Sequence, residues 1–491
     1  MWRRNHPPQA NGSTSSEPKS DVEAVPPPHQ AVEREGTHHT FLPSHTNNHG
    51  KPFTKGIKPE GESYRRGVHP LKFLQITWRS TSFASRCVNV LWPVVPAAIA
   101  VNYALPNNHL LIFILNYIAM VPTANLVGFA GQELARKLGK VFGVLVETLL
   151  GGVVEVILFA VLIQRSANPV GDPNGEAPAP EGAEAAESSS EGGSEAQNLI
   201  PVIQAAILGS ILANLLLCLG MCFFVGGLRR EEQKFAEAVS EVGSGLLLVA
   251  AVGLLVPSAF SNALGNRVEA LELRGQVLNI SRITAIFLLI AYFMYIWFQM
   301  RTHNGIYDAI LEEDEKRDHD REDDLKKAKL TLTECVVALV VAITCVSLHA
   351  IYLVGQIEFI VEGYGIRDAF MGLILVPIVE KASEHLTAVD EAWDNQMNFA
   401  LAHILGATIQ TALFNAPLVV LIGWGMHKDM NLNFEIFQIV MVVLSIIVVG
   451  NFLRDGKSNY LEGALCTIVY LIIAITTFFY PDPVPTGGGS G

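Results

Sequence analysis

Long apolar runs separated by short polar connectors dominate the chain from about residue 85 onward. A run of about 20 residues at about 1.5 Å per residue matches the ~30 Å hydrocarbon core of a bilayer. These runs are apolar on all sides, whereas a helix of a soluble protein carries a polar face. We count eleven of them, at roughly 87–105, 109–130, 141–164, 199–226, 242–261, 281–300, 331–354, 366–389, 397–425, 434–453 and 459–480. The pattern predicts an all-α polytopic membrane protein with about eleven transmembrane helices, in contact with a lipid bilayer.

The amino-acid composition supports the membrane-protein class and predicts the state of both ends of the chain. Half of the 491 residues are hydrophobic and 16% are charged. Residues 1–70 are polar and rich in Pro, Ser, His and Gly, which predicts a disordered cytosolic tail, and residues 482–491 form a short flexible tail. The six cysteines fall within apolar runs, so no disulfide framework is expected. The net charge of −13 arises mainly from two acidic connectors, and no nucleic-acid partner is indicated.

Basic residues predict the orientation of the spans, because Lys and Arg concentrate on the cytosolic side of a membrane. They precede the first span and follow the second, fourth and tenth spans. The connector at about 165–197 lies after the third span and is of low complexity, with six glutamates and one aspartate. The alternation predicts an integral membrane protein with a cytosolic N-terminus.

An acidic segment divides the spans into two halves. Residues 311–324 carry nine acidic side chains and no evident apolar stripe, which predicts a solvated cytosolic hinge, or alternatively a weak cation sponge, within a linker at 304–329. The first span, at 71–105, precedes a first repeat at 106–303, and a second repeat occupies 330–481. Each repeat then holds five spans.

The two halves share motifs. Span four contains Ile-Leu-Gly at 207–209 and span nine contains it at 404–406, each followed by small and amide residues. A glutamate precedes the motif by 54 residues in the first half and by 22 in the second, and the low-complexity insertion of about 32 residues explains the difference. An odd number of spans per repeat inverts the second copy. Inverted repeats around a midplane site are typical of secondary transporters.

Those two glutamates, Glu155 and Glu384, lie deep in spans three and eight. An ionisable group in the bilayer costs roughly 2.5–3.5 kcal/mol and usually serves a function, although a structural pair with a buried base is the alternative. Carboxylates bind hard cations, and a carboxylate that loses its cation takes up a proton. We therefore predict that both glutamates bind a cation and protons in turn. Amide and hydroxyl ligands are available at Gln204, Ser210, Asn214, Thr408 and Gln410, and Gly151, Gly152 and Pro377 are expected to loosen the helices.

At these motifs the chain resembles the calcium/cation antiporters, in particular the vacuolar Ca²⁺/proton exchangers of fungi and plants. The similarity covers about 72–481 and is most specific at 202–227, 382–389, 406–424 and 454–465. The resemblance implies that Glu155 and Glu384 match signature glutamates that bind calcium and exchange protons. It also implies that His385 matches a histidine beside the second one, that Gln204 and Gln410 line the site, and that the membrane is vacuolar.

The signature also departs from the family pattern. Gly152 and Lys381 stand where the family has asparagines, Glu380 replaces a glycine, and Glu147 replaces a further asparagine. We predict that Lys381 pairs with Glu147 or Glu155 across the repeat interface and alters ion selectivity, or else locks the site.

The resulting prediction is a secondary transporter that exchanges a divalent cation, with Ca²⁺ the first candidate, for protons. No enzyme activity and no cofactor are expected, and a homo-oligomer is left open. A nucleotide-driven pump is disfavoured because the P-loop glycine needed at position 451 is Asn451. A different ion selectivity, a channel or a non-transporting relative remain as alternatives. His349 and His403 are expected to be packing histidines, with proton relays as the alternative. Asp390, Glu391 and Asp394 are expected to form a wet helix end, with an ion entry site as the alternative.

Overall fold

A computed structural model describes the strand residues 44–46 and 52–54, and residues 61–481 apart from 66, 81, 139, 167–197, 266 and 318–326. Most of the predicted N-terminal tail, the tail at 482–491 and nearly all of the low-complexity connector lie outside the described residues.

Helices account for most of the described chain. Their bounds are α1 (Pro70–Arg79), α2 (Phe83–Asn89), α3 (Val94–Ala104), α4 (His109–Ala135), α5 (Lys140–Arg165), α6 (Ile200–Leu212), α7 (Leu219–Gly227), α8 (Glu237–Leu264), α9 (Ala270–Trp297), α10 (Asn304–Arg317), α11 (Leu332–Val354), α12 (Ile357–Tyr364), α13 (Asp368–Phe370), α14 (Val376–Glu380), α15 (Ala382–Trp393), α16 (Met397–Gln410), α17 (Ala416–Gly425), α18 (Ile436–Phe452) and α19 (Tyr460–Phe479). Segments of π-helix extend or join some of them, at Ala213–Cys218, Phe298–Thr302, Met371–Leu375 and Thr411–Asn415, and a 3-10 turn follows α18 at Leu453–Asp455.

Among the described residues, four short strands form two antiparallel pairs, and the fold remains all-α. The strand β1 (Ser44–Thr46) pairs with β2 (Pro52–Thr54). The strand β3 (Gln233–Lys234) pairs with β4 (Lys457–Ser458), with Gln233 opposite Ser458. This second pair connects a loop of the first repeat to a loop of the second.

The predicted spans agree with the structure, and one of them is interrupted. Ten helical segments in the described chain are long and apolar enough to cross a bilayer. The predicted span 366–389 is instead built from α13, the π-helical Met371–Leu375, α14 and α15, with a break at Lys381. Because α15 continues to Trp393, this interrupted span extends past its predicted end.

Burial shows which spans form the centre of the bundle. Within an apolar stretch of 18 residues, the span Ile200–Gly227 has 83% of its residues buried and the span Met397–Gly425 has 78%. The corresponding stretch of Ser85–Ala104 has only 17%. The two central spans carry the repeated Ile-Leu-Gly motif, and a π-helical segment follows it in both. Since π-helical turns are frequent at functional sites, the repeats place equivalent irregular segments in the core.

Two glycines allow a close helix crossing at this centre. A Cβ built on Gly209 of α6 would overlap the carbonyl oxygen of Leu373 and lie 2.7 Å from its carbonyl carbon. A Cβ on Gly372 would lie 2.6 Å from the Cβ of Ala205. Small residues let helix backbones approach in membranes, where van der Waals packing drives association.

We expect Gly209→Ala to lower stability by about 1–3 kcal/mol, because the added methyl group must push two backbones apart. Thermal unfolding in detergent measures this effect as a lower Tm. The control is Gly245→Ala on α8, where the added Cβ meets nothing within 4 Å. Equal Tm values for the two variants would contradict the crossing.

The end of the N-terminal segment is structured, which corrects the prediction of disorder there. Lys137, only 2% exposed, donates from Nζ to the carbonyl oxygen of Gly61 at 2.6 Å. Arg65 forms an ion pair of 3.2 Å with the buried Glu334 of α11. A buried charge is costly without partners, so the segments around Gly61 and Arg65 are held against Lys137, which follows α4, and against Glu334 of α11.

The acidic helix α10 is docked, so the prediction of a solvated hinge is wrong for its described part. Tyr307, Leu311 and Asp314 form a buried stripe. The carboxylate of Asp314 accepts hydrogen bonds from the backbone N–H groups of Asn398, at 2.8 Å, and Phe399, at 3.2 Å. It therefore caps the N-terminus of α16, and residues 318–326 of the linker lie outside the described residues.

This docking is expected to strengthen as the pH falls. Burial raises the pKa of Asp314, against the opposing effect of hydrogen bonds from Asn398 and Phe399. A carboxyl group whose pKa is higher in the docked helix than in the free helix stabilises docking at low pH. This stabilisation is complete at pH values below the ordinary pKa of about 3.9, and it is lost as the pH rises through the raised pKa. Hydrogen exchange of α10, corrected for intrinsic rates, measures this. A decrease in the hydrogen-exchange protection of α10 on acidification would contradict the role assigned to Asp314.

Candidate cation site

The carboxylate of Glu155 on α5 is fully buried and held by the second repeat. Its Oε2 accepts hydrogen bonds from Thr411 Oγ1 at 2.9 Å and from Asn415 Nδ2 at 2.8 Å. Both donors belong to the π-helical segment Thr411–Asn415. A carboxylate of one repeat is thereby bound by side chains of the other.

Lys381 places its ammonium group between the two glutamates. Its Nζ lies 3.0 Å from Glu155 Oε2 and 3.5 Å from Glu384 Oε2. Lys381 is 1% exposed and stands at the break between α14 and α15. Of the two partners predicted for Lys381 across the repeat interface, the structure selects Glu155.

Two glycines of α5 make room for side chains of the second repeat. A Cβ built on Gly151 would overlap Glu384 Oε1 and lie 3.1 Å from its Cδ. A Cβ on Gly152 would overlap Gln410 Nε2. These glycines were predicted to loosen the helix, but α5 is a continuous α-helix from Lys140 to Arg165. The missing Cβ atoms admit Glu384 and Gln410 against the helix surface instead.

The contacts across the repeats follow the internal symmetry. Asn214 lies five residues after Gly209, and Thr411 lies five residues after Gly406. Asn214 Oδ1 lies 3.1 Å from Nε2 of His385, which follows Glu384 on α15, just as Thr411 contacts Glu155. Each glutamate helix therefore meets the π-helical segment of the opposite repeat, as two inverted repeats around a shared site require.

Several buried oxygen atoms around these residues have no hydrogen-bond donor. They are Glu155 Oε1, Glu384 Oε2, Glu380 Oε1 and Oε2, Gln410 Oε1, Asn415 Oδ1 and Ser210 Oγ. A buried acceptor without a partner costs about 1–3 kcal/mol, so this set of oxygens is suited to bind a cation, a proton or a water molecule. In the described part of the chain no three His, Cys, Asp or Glu side chains form a metal-binding group. A cation between the two glutamates would therefore need amide or hydroxyl oxygens as well.

Two predicted ligands are engaged elsewhere. Gln204 Nε2 donates to the backbone and side-chain oxygens of Asn431, both at 3.0 Å. The hydroxyl of Thr408 donates to the carbonyl of Ile404 in its own helix at 2.6 Å. Sequence reasoning missed Thr411 and Asn415, although both are polar residues in an apolar run directly after Gln410.

Glu147 does not join Lys381, because it pairs with His403. His403 Nε2 lies 3.2 Å from Glu147 Oε2, and His403 Nδ1 lies 2.8 Å from Glu391 Oε2. The predictions of a packing role for His403 and of a wet helix end at Glu391 are thus wrong. His349 is a buried packing histidine, with Nδ1 2.7 Å from Asn116 Oδ1, although its Nε2 has no hydrogen-bond partner among the described residues.

Glu380 offsets the charge of Lys381. It is 3% exposed and interacts electrostatically with Glu155, Lys381 and Glu384. When all four groups are ionised, three carboxylates and one ammonium group leave a net charge of −2. That equals the charge of Glu155 and Glu384 alone, so the two replacements cancel.

Inverted repeats, an interrupted span and an ionisable cluster at the repeat interface define the class of secondary transporters. The profile of the sodium/calcium exchanger protein family matches residues 193–301 and 335–479, just over half of the chain. The chain belongs to this family, in its cation/proton exchanger branch. The first match begins after Glu155, whereas the second includes Glu384.

Individual relatives support the assignment. The vacuolar cation/proton exchanger 2 of Arabidopsis thaliana is 32% identical over 82% of this chain and 82% of its own length. The vacuolar calcium ion transporter of Schizosaccharomyces pombe is 31% identical over 76% of this chain and 80% of its own. The solved structure of native YfkE, 23% identical, covers 79% of this chain and 100% of that chain with a TM-score of 0.60, which supports the fold. The protein is an integral membrane transporter.

Proposed function

We propose that the protein exchanges Ca²⁺ for protons across a vacuolar membrane by alternating access, without a cofactor. The position of the Lys381 ammonium group carries the proposal. It lies between the carboxylates of Glu155 and Glu384, and each of these carboxylates has a buried oxygen without a hydrogen-bond donor. An ammonium group in that position is a tethered substitute for a free cation.

The exchange follows from the ways in which the two carboxylates can be neutralised. In the conformation described, Lys381 neutralises part of their charge. We infer that Ca²⁺ displaces Nζ and gains Glu155 Oε1, Glu384 Oε2 and amide oxygens as ligands. When Ca²⁺ leaves, the carboxylates take up protons or the ammonium group returns. Cation and proton therefore compete for the same atoms.

Charge and the relatives' names favour Ca²⁺ as the ion. Glu155 and Glu384 together carry a charge of −2 when both are ionised, which one divalent cation neutralises and one monovalent cation does not. The name of the yeast relative specifies calcium and the vacuole, and the plant relative is named a vacuolar cation/proton exchanger. Basic residues before the first span and in the alternate connectors support a cytosolic N-terminus.

A locked, non-transporting relative is the second candidate. Its support is the salt bridge between Lys381 and Glu155, which joins the two repeats at a fully buried position. If this bridge holds in every state, the repeats cannot move past the site.

Uptake by reconstituted vesicles tests the proposal. The purified protein is placed in vesicles under an imposed proton gradient, with Ca²⁺, Mn²⁺, Na⁺ and K⁺ tested separately and protein-free vesicles as the control. We expect Ca²⁺ uptake that stops when the gradient is dissipated. Uptake that does not depend on the gradient would indicate a channel. Uptake of another ion would indicate a different selectivity, and the absence of uptake would indicate the locked form.

A further inference from the structure

Next to the cation site, His403 of α16 lies between two carboxylates on different helices. Its Nδ1 is 2.8 Å from Glu391 Oε2 on α15, and its Nε2 is 3.2 Å from Glu147 Oε2 on α5. The three side chains are 12–15% exposed. Nε2 is buried and lacks a well-aligned hydrogen bond, although it lies within ion-pair distance of Glu147.

This geometry favours a proton that is shared by the three groups. A neutral imidazole has one N–H group and one bare nitrogen, and an ionised carboxylate has no hydrogen to donate. One ring nitrogen would then face a carboxylate with no hydrogen between them. Contact with both carboxylates is satisfied when the ring is doubly protonated, or when one carboxyl group carries the proton. The cluster therefore binds a proton in either arrangement.

A cavity connects this cluster to the cation site. The cavity has a volume of about 30 Å³ and is lined by Glu147 and His403 together with Glu384, His385 and Asn214. A polar cavity of ~10–15 Å³ or more can hold a water molecule. A water there can exchange hydrogen bonds with the cluster and with Glu384.

Titratable groups reach this region from α5, α10, α15 and the π-helical segment Ala213–Cys218. They are Glu147 on α5, Glu384, His385 and Glu391 on α15, Cys218 on the π-helical segment Ala213–Cys218, and Asp314 on α10, which acts on Glu391. Carboxylates outnumber bases in this set, so the surroundings favour a cationic ring at His403.

We propose that His403, held by Glu147 and Glu391, is a proton relay that supplies and removes the protons exchanged at Glu384. The proposal rests on the proposed function. The proton leaves Nε2 of the imidazolium for the cavity water, which releases one of its own protons to the carboxylate of Glu384. The imidazole becomes neutral, the water is unchanged, and Glu384 becomes a carboxylic acid. Glu391 orients the ring from the opposite nitrogen.

Two transport modes separate a relay from a structural role. Proton-driven Ca²⁺ uptake needs proton transfer, whereas exchange of labelled for unlabelled Ca²⁺ across the same vesicles does not. We expect His403→Gln to lower the ratio of proton-driven uptake to calcium self-exchange by about 10²-fold or more, a loss typical of removing a proton-transfer group. Glu391→Gln keeps the ring in place and is expected to shift the pH profile of proton-driven uptake. His349→Gln, which alters a buried histidine bonded to Asn116, is the matched control with an unchanged ratio.

Each outcome decides the proposal. A lower ratio in His403→Gln and a shifted profile in Glu391→Gln support it. If His403→Gln does not fold, the pH profile of Glu391→Gln decides alone. The relay is overturned if the transport ratio and the pH profile equal those of the parent, or if both transport modes lose activity equally. In either case, calcium transport by the parent preserves the proposed function. If the parent moves no calcium in either mode, the proposed function fails and the relay fails with it.

Discussion

Replacement of Glu155 by glutamine is expected to lower proton-driven Ca²⁺ uptake by at least about 10²-fold, which corresponds to ~2.8 kcal/mol. Glutamine keeps the length of the side chain and an oxygen that can accept from Thr411 and Asn415. It removes one of the two charges that face the cation. A unit charge at about 4 Å contributes about 4 kcal/mol at an effective dielectric constant of ~20, which is enough for a loss of this size.

The matched control is Glu272→Gln, which removes the same charge from an exposed position on α9. We expect its uptake to equal that of the parent. Size-exclusion profiles in detergent establish whether both variants are folded. A folded Glu155→Gln protein with the parent's uptake would exclude Glu155 from the transport site.

Replacement of Lys381 by asparagine is expected to tighten Ca²⁺ binding by at least about tenfold, or ~1.4 kcal/mol. The change removes the ammonium group that lies 3.0 Å from Glu155 and competes with the cation. It also removes the positive charge beside Glu380, so the group formed by Glu155, Glu380 and Glu384 becomes more negative. Titration calorimetry of the purified protein measures the affinity, and competition with Mn²⁺, Na⁺ and K⁺ measures the selectivity.

Lys381→Met separates charge from ligand chemistry, because methionine fills much of the lysine stem without a charge or an amide. A gain in both variants assigns the effect to the lost charge. A gain in the asparagine variant alone assigns it to the new amide oxygen. Parent-like affinity and selectivity in both variants would show that Lys381 does not control the ion.

The spans were predictable because an apolar run of bilayer length is stable in few environments besides a membrane. The exception is 366–389, where apolarity does not show that the helix breaks at Lys381 or that α15 continues to Trp393. The docking of α10 was missed for a similar reason. Its buried stripe includes Asp314, a charged residue whose burial depends on partners from α16.

The site was predictable only in part. The equivalence of Glu155 and Glu384 in two repeats, and a lysine three residues before Glu384, were sufficient to predict that Lys381 pairs with Glu147 or Glu155, and the structure shows the pair with Glu155. Thr411 and Asn415 bind Glu155 across more than 250 positions of sequence, and such a contact depends on how helices cross. Gln204 was predicted from its amide group and from the resemblance, and neither gives the direction of the side chain. The pairing of His403 was missed because neither Glu147 nor Glu391 is a near neighbour in sequence.

The central claim is that a cation binds between Glu155 and Glu384 and displaces the ammonium group of Lys381. Crystals of the protein soaked in Mn²⁺, measured at the manganese absorption edge, test it most directly. The account predicts an anomalous peak within coordination distance of Glu155 Oε1 and Glu384, with Lys381 Nζ moved away from its 3.0 Å contact. Lys381 still bound to Glu155, with no peak between the two glutamates at saturating Mn²⁺, would contradict it.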